Sequence, residues 1–226
     1  MSRSFVKLFT LGMPGSGKST IAQRIMQRVQ GISGWSTCHI NDYAILSQVY
    51  RDQRHRFLPA PYGGFTIKDA TLYNEVLEKL QEQVEKMKRQ ALPGEKQLIL
   101  IEFARENYQS AFRAFDPAFL QDAFFLFLDV SVTICRNRVS HRVHKLKDEK
   151  NEHDCFVPRG VFTRYVSSES IRRYFSDTFR AEYQIPERRL KIIRNDDILQ
   201  EALPEVDDFV DHVLRVWEPE PLAVTS

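Results

Sequence analysis

Gly12-Met13-Pro14-Gly15-Ser16-Gly17-Lys18-Ser19-Thr20 follows an apolar run, Phe5 to Leu11, and precedes a helix-like stretch, Ile21 to Val29. This is the phosphate-cradling pattern GxxxxGK[ST] in the strand–turn–helix setting it requires. Each residue type has a physical reason. Glycines let the backbone wind tightly. Gly12, Gly15 and Gly17, with Pro14 and Ser16 among them, can therefore turn several N–H groups into one cavity. The positive end of the helix that starts around Ser19 and Thr20 adds to that anion site. Lys18 is expected to reach the β- and γ-phosphates, and Ser19 to place its hydroxyl on Mg²⁺.

Outward from this segment, strand-like and helix-like patterns alternate. Phe5–Leu11, Thr37–Ile40, Gln97–Glu102, Ala123–Val130 and Leu190–Arg194 read as strands. Runs that are apolar at every position suit strands buried on both faces. Helical patterns cover 19–30, 72–90, 132–147, 169–183 and 199–217. Such alternation predicts an α/β fold, a three-layer αβα sandwich around a five-stranded parallel sheet. In sheets of this kind ligands bind outside the carboxyl ends of the strands. Two long segments interrupt the alternation. Residues 42–69, with Pro59, Pro61, Gly63 and Gly64, read as a long connection, and residues 145–164 as a polar, charged stretch. Loops of that length inside a compact domain are commonly lids or binding loops.

The chain has 226 residues, 42% of them hydrophobic, enough for one domain with a packed core. Lys and Arg number 32 and Asp and Glu 30, but the charge is uneven. Residues 136–191 carry 14 basic against 8 acidic side chains, a balance of +6, and residues 196–226 carry 1 against 9, a balance of −8. The basic stretch suits a phosphorylated ligand. Near-neutral total charge and the acidic C-terminal helix argue against a broad nucleic-acid surface. Cys38, Cys135 and Cys155 are widely spaced and odd in number, which predicts a reducing compartment and no disulfide framework. No signal-peptide pattern and no membrane-spanning apolar run are evident, so a cytoplasmic protein is expected.

The strand ends carry the candidate chemistry. Asn41-Asp42-Tyr43 places a carboxylate beside the loop lysine, able to take a proton from an attacking hydroxyl or to bind a metal-held water. Asp42 is equally suited to cap a helix. Glu102, at the tip of the third strand, stands where a phosphate-loop enzyme keeps its magnesium carboxylate. Arg105 lies close enough to hold an acceptor or the moving phosphoryl group, or to pair with Glu102. Arg138 and Arg142 share one helical face and suit an adenine ring and a polyphosphate. Arg172 and Arg173 on the next helix add candidate phosphate contacts. His141, His144, His153 and Cys155 form a weaker zinc candidate, without paired CxxC units.

Taken in order, these residues resemble the P-loop kinases of the nucleoside and nucleotide kinase group, with an adenylate-kinase-like layout. The likeness covers most of the chain. It implies a P-loop NTPase fold with a lid over about 143–165, an acceptor-binding insert over about 43–90, a domain over 1–217 and a flexible tail over 218–226. It implies that Arg138 stacks on adenine and Arg142 touches phosphates, that the Arg172-Arg173 pair follows the lid, and that Asn195 lies near the base. Two departures are evident. After the third strand stands Glu102-Phe103-Ala104-Arg105 rather than a D-G-x-P-R motif, and no AMP-site signature follows. Asp42 instead resembles the base of P-loop kinases that phosphorylate a hydroxyl. The expected activity is transfer of the γ-phosphoryl group of ATP, with Mg²⁺, to a small-molecule acceptor, a hydroxyl in preference to a phosphate. Asp42 or Glu102 would be the base, and Ser19, Glu102 and Asp42 would organise the metal. Lys18, Arg105 and Arg142 would neutralise developing charge. The alternatives are a nucleoside monophosphate kinase and a nucleotide-binding switch or NTPase without acceptor. Asn195-Asp196-Asp197 lacks the NKxD pattern of a guanine reader. A 5′-hydroxyl oligonucleotide stays among the candidate acceptors, and the expected state is a monomer or homodimer. The basic segment 51–56 and the turn 62–65 are expected to help hold an anionic group on the acceptor.

Overall fold

The computed structural model describes residues 4–59, 65–92, 94–144, 162–163, 168–196 and 199–217. Its strands are β1 (Ser4–Leu11), β2 (Trp35–Asn41), β3 (Phe57–Pro59), β4 (Phe65–Ile67), β5 (Lys96–Phe103), β6 (Phe124–Asp129) and β7 (Leu190–Arg194). Five of them form one sheet in the order β2-β5-β1-β6-β7, and every neighbouring pair is parallel. The remaining two, β3 and β4, make an antiparallel pair of their own. The helices are α1 (Lys18–Gln30), α2 (Asp42–Asp52), α3 (Leu72–Gln90), α4 (Tyr108–Phe112), α5 (Pro117–Gln121) and α6 (Val132–His144). They continue with α7 (Ser168–Arg173), a π-helical turn over Tyr174–Phe179, α8 (Arg180–Tyr183) and α9 (Leu199–Trp217).

Side chains alternate across a strand, so each central strand divides its apolar residues between two cores. Phe5, Phe9, Ile99, Ile101, Phe103, Phe125 and Phe127 enter a core shared with Leu77 and Leu80 of α3 and with Phe175 and Phe179. Val6, Leu8, Leu98, Leu100, Leu126 and Leu128 enter the opposite core, with Ile21 and Ile25 of α1 and Val206 and Val210 of α9. The first core is rich in rings. Phe9 stacks on Phe125 at 5.0 Å and meets Phe103, Phe112, Phe115 and Phe119 edge-on. Such packing fixes the level of the strand tips, which is where the candidate residues stand.

The acidic C-terminal segment has a structural use. Asp207 and Asp211 of α9 take forked hydrogen bonds from Arg24 and Arg28 of α1, joining the two helices that cover one face of the sheet.

Residues 42–69 are not the long irregular connection expected. Those of them that are described fold into α2, a 3₁₀ turn over Arg54–Arg56 and the β3–β4 pair. A third core of Leu46, Val49, Phe57, Leu72 and Val76 ties that insert to α3. The cap of α2 is Asn41, whose side chain accepts from the Ala44 N–H at 2.8 Å. Most of the expected lid (residues 145–161 and 164–167), residues 62–64 of the expected acceptor turn and the tail over 218–226 lie outside the described residues, as do His153 and Cys155.

Candidate active site

The loop between β1 and α1 is held by its own backbone and by three neighbours. Ser16 N–H closes a turn onto the Met13 carbonyl at 3.0 Å. Gly15 sits at φ +85°, and a Cβ there would lie 2.5 Å from the Cys135 carbonyl oxygen of α6, so the loop and that helix touch backbone to backbone. The buried Tyr108 hydroxyl accepts from Gly12 N–H at 2.8 Å and lies 2.9 Å from the Gly12 carbonyl, to which it can donate. Burial pushes the Tyr108 phenol well above its usual range, so it stays protonated for that role. On the far side the Asn195 amide donates to the Ser16 carbonyl at 2.9 Å. No side chain caps α1, where Gly17 is left-handed at φ +98°, so the amides of its first turn are left for an anion.

Lys18 lies folded back in this loop. Its Nζ donates to the carbonyls of Gly12 at 3.1 Å and Met13 at 3.0 Å. Burial lowers its pKa, and the carboxylates of Glu102 and Asp42 work against that shift. Lys18 is therefore a buried cation bonded to two carbonyls, with the charges of Glu102 and Asp42 near enough to act on it, and a polyphosphate would add negative charge beside it.

Glu102 is the last but one residue of β5, beside Thr10 of β1 and Asn41 of β2. Its Oε1 accepts from the Ser19 hydroxyl at 3.0 Å, and its Oε2 lies 3.0 Å from His39 Nε2. Burial alone would raise the Glu102 pKa. The His39 hydrogen bond and the Lys18 charge hold it below the ordinary carboxylate range. Because Asn41 does the capping, the Asp42 carboxylate is available elsewhere, and it is bound by Arg105. Arg105 also donates to the carbonyls of Ala104 at 2.8 Å and Tyr73 at 3.3 Å, and it lies over the Tyr73 ring at 5.1 Å.

Ser19 and Glu102 supply a hydroxyl and a carboxylate side by side, hard oxygen donors of the kind magnesium prefers. Among the described residues no group of three or more His, Cys, Asp or Glu side chains could hold a metal by itself. The donor set therefore fits a magnesium ion that takes its other ligands from phosphate oxygens and water.

A family model for an AAA domain matches residues 8–158, more than half of the chain. The chain belongs to the AAA domain family. No curated protein matches this sequence. Among solved structures, a gluconokinase from Sinorhizobium meliloti 1021 is similar at a TM-score of 0.50 and 12% identity, over 95% of each chain. A sugar kinase from Janibacter sp. HTCC2649 is similar at a TM-score of 0.51 and 15% identity, over 96% of this chain and 99% of that one. These likenesses show a shared fold, the five-stranded αβα P-loop arrangement.

Within this AAA domain the expected site residues are not all brought together. Gly12, Pro14, Gly15, Ser16, Gly17, Lys18, Ser19 and Thr20 form one loop-to-helix turn, with Glu102 at its mouth. Asp42 and Arg105 come from separate strand ends and pair with each other; Arg105 does not pair with Glu102. Arg142 lies close enough for its charge to act on Lys18 and on the Cys135 thiol, which burial pushes up to about 11. Arg172 is 48% exposed and 3.7 Å from Asp129 at the tip of β6. Arg173 is turned away: it is 72% exposed and bound to Glu169 one helical turn back. Arg138 donates to the Asn195 carbonyl at 3.0 Å, and the Asn195 side chain donates to the Ser16 carbonyl of the phosphate loop. Arg56, expected in the acceptor insert, is bound by Asp69 and Glu75 and braces the hairpin to α3.

Three further residues bear on the site without having been singled out in the sequence. They are His39, Tyr108 and Tyr73. No local cue marks His39, because Ser36, Thr37 and Asn41 of the same strand are polar too. Its nearness to Glu102 follows only from the register of β2 on β5.

Proposed function

We propose that the protein is an ATP-dependent phosphotransferase that moves the γ-phosphoryl group to a hydroxyl of a small polar metabolite. One observation carries this reading. Asp42, bound by Arg105, follows Asn41, which lies opposite Glu102 in the sheet, and Glu102 binds Ser19 of the loop, so the Asp42 charge reaches Lys18. A carboxylate that near a triphosphate site, on a separate element, is what proton removal from an acceptor hydroxyl requires.

The residues divide the work as follows. Loop amides and Lys18 bind the β- and γ-phosphates, and Arg142 adds positive charge as negative charge spreads over the transferred group. Magnesium, bound by Ser19 and Glu102, would neutralise phosphate charge. Glu102 has both oxygens engaged and a depressed pKa, so it is poorly suited to take a proton. That leaves Asp42 as the base, with Arg105 orienting its carboxylate and lending its remaining N–H groups to the acceptor. Arg138 and Asn195 brace the nucleotide side. The insert over 43–90 would carry the acceptor contacts and the segment over 143–165 would close over the site, all within one unit spanning 1–217. Lid closure would exclude water and suppress hydrolysis.

A hydroxyl acceptor is favoured over a phosphate because two arginines on the proposed acceptor side are already paired with carboxylates. Arg105 is matched by Asp42 and Arg56 by Asp69 and Glu75. A nucleoside monophosphate kinase would need free positive charge for a second phosphate. The two solved proteins of the same fold carry the names gluconokinase and sugar kinase, which agrees with a polyol-like acceptor. A cytoplasmic setting would suit an ATP-dependent enzyme, and the free thiols of Cys38 and Cys135 support it. No helix among the described residues is long and apolar enough to cross a membrane.

The test is transfer of label from γ-labelled ATP to sugars, polyols, nucleosides, nucleoside monophosphates and 5′-hydroxyl oligonucleotides. Labelled product is expected from a hydroxyl compound. Product from monophosphates alone would replace the reading, and hydrolysis without transfer to any of them would remove the acceptor from it.

A further inference from the structure

We propose that His39 is a positioning residue that sets the Glu102 carboxylate for magnesium-nucleotide binding. The inference rests on the reading of the loop as a magnesium-triphosphate site and adds a residue that neither the motif nor the strand-end rule selects.

Strand parity decides the face His39 takes. Cys38 and Ile40 of β2 pack on the phenylalanine-rich side of the sheet. His39 therefore projects to the other side, the side of α1 and of Leu98 and Leu100. Glu102 follows those two leucines at the same parity, so it lies on that face too. The register places His39 opposite Leu100 and Asn41 opposite Glu102, so the imidazole approaches the carboxylate diagonally from the neighbouring strand. It reaches Oε2 at 3.0 Å while the Ser19 hydroxyl holds Oε1 at 3.0 Å. An ionised carboxylate only accepts, so Nε2 carries the proton of this bond.

The consequence is geometric. The terminal torsion of a glutamate is broad, and a carboxylate held at one oxygen can still turn about it. A second donor from a different strand removes that freedom. The Glu102 oxygen beside Ser19 is then presented in one orientation, where the metal's ligand shell would form. Donors behind a metal-binding carboxylate act in this way generally, and their loss commonly costs about 10–100-fold in metal affinity or activity. His39 touches neither the nucleotide nor the acceptor in this role and acts through Glu102 alone.

The experiment measures binding of a non-hydrolysable ATP analogue by calorimetry across a magnesium titration. It uses the full chain and its His39→Phe and His39→Gln variants. Phenylalanine keeps the ring and removes the donor, and glutamine offers an amide donor at nearly the same reach. His39→Phe is expected to raise the magnesium concentration needed for half of the metal-dependent gain about 10–100-fold. Metal-free affinity should stay as in the wild type, and His39→Gln should recover most of the loss. An unchanged magnesium requirement in His39→Phe would overturn the proposal. So would an equal fall in metal-free and metal-loaded affinity, which marks general damage to the loop. Should His39→Phe fail to fold, His39→Ala is read by the same criteria. A wild type without any magnesium-dependent gain would overturn the site reading itself, and the role of His39 with it.

Discussion

The two halves of the proposed site are built in different ways. On the nucleotide side the contacts are mostly main chain. Gly12 and Ser16 are clamped through backbone atoms by Tyr108 and Asn195, and Gly15 lies against the backbone of α6. Glu102 is fixed from two directions by Ser19 and His39. On the proposed acceptor side the chemistry would rest on one pair of side chains, Asp42 at the start of the insert with its own small core and Arg105 beyond the end of β5. Main-chain amides facing an anion are shared by every triphosphate, so that half is preorganised and general. A side-chain pair that neutralises itself is specific to a partner able to share both charges, so under the proposed function that half would set the choice of acceptor. The contrast explains why the phosphate loop declares itself in the sequence while the acceptor does not.

Substitutions can break or sharpen this contrast. The largest effect is expected from Lys18→Ala. Removing the loop cation should lower transfer by about 10³-fold or more, with circular dichroism and thermal unfolding showing a retained fold. Retained turnover would remove the nucleotide half of the account. Next comes Asp42→Asn, expected to reduce kcat by about 10²–10⁴-fold with nucleotide affinity unchanged. A loss well below tenfold would leave Asp42 as no more than the partner of Arg105.

Arg105→Lys should act less strongly and on the acceptor half alone. Lysine keeps the charge but not the planar fork that reaches Asp42 and the Tyr73 carbonyl together. The acceptor KM should rise by about tenfold, on the order of 1–2 kcal/mol for a lost charge-assisted bond, while the KM for ATP holds. A rise in the ATP KM of the same size would show that the two halves are not separable. Smallest of all, Arg173→Ala should leave both KM values and kcat where they are, since its guanidinium faces solvent and Glu169. A clear loss would mean that Arg173 swings into the site in a closed state.

Much of the frame was legible in the sequence, for physical reasons that also mark where legibility ends. Strands buried on both faces read as continuous apolar runs, so the central strands stood out. The periodicity of Leu72–Gln90 and Leu199–Trp217 placed α3 and α9 at their observed bounds. Helix α2 did not stand out. It is short, it buries only Leu46 and Val49, and its Asn41 cap lies next to Asp42, which invited a chemical reading of the whole tip. The hairpin after it has three-residue strands, too short for an alternation to register.

The candidate site divides along the same line. Glu102 was found because a strand tip is a position that can be named from sequence. The Asp42–Arg105 pair and the His39–Glu102 bond join residues 63 positions apart. Both depend on β5 lying beside β2, a neighbour relation that no local pattern contains. Arg173 and Arg56 show the converse. An arginine near a site in sequence is often bound to a nearby carboxylate, and only the fold tells which ones are.

The central claim is that the loop after β1 holds a magnesium-bound triphosphate beside the Glu102 tip. Isothermal titration calorimetry of the intact protein with an ATP analogue and magnesium tests it most directly, with Lys18→Ala as the reference. The account predicts saturable uptake by the wild type, strengthened by the metal and lost in the variant. No heat of binding in the wild type with magnesium present, or equal binding by the two proteins, would contradict it.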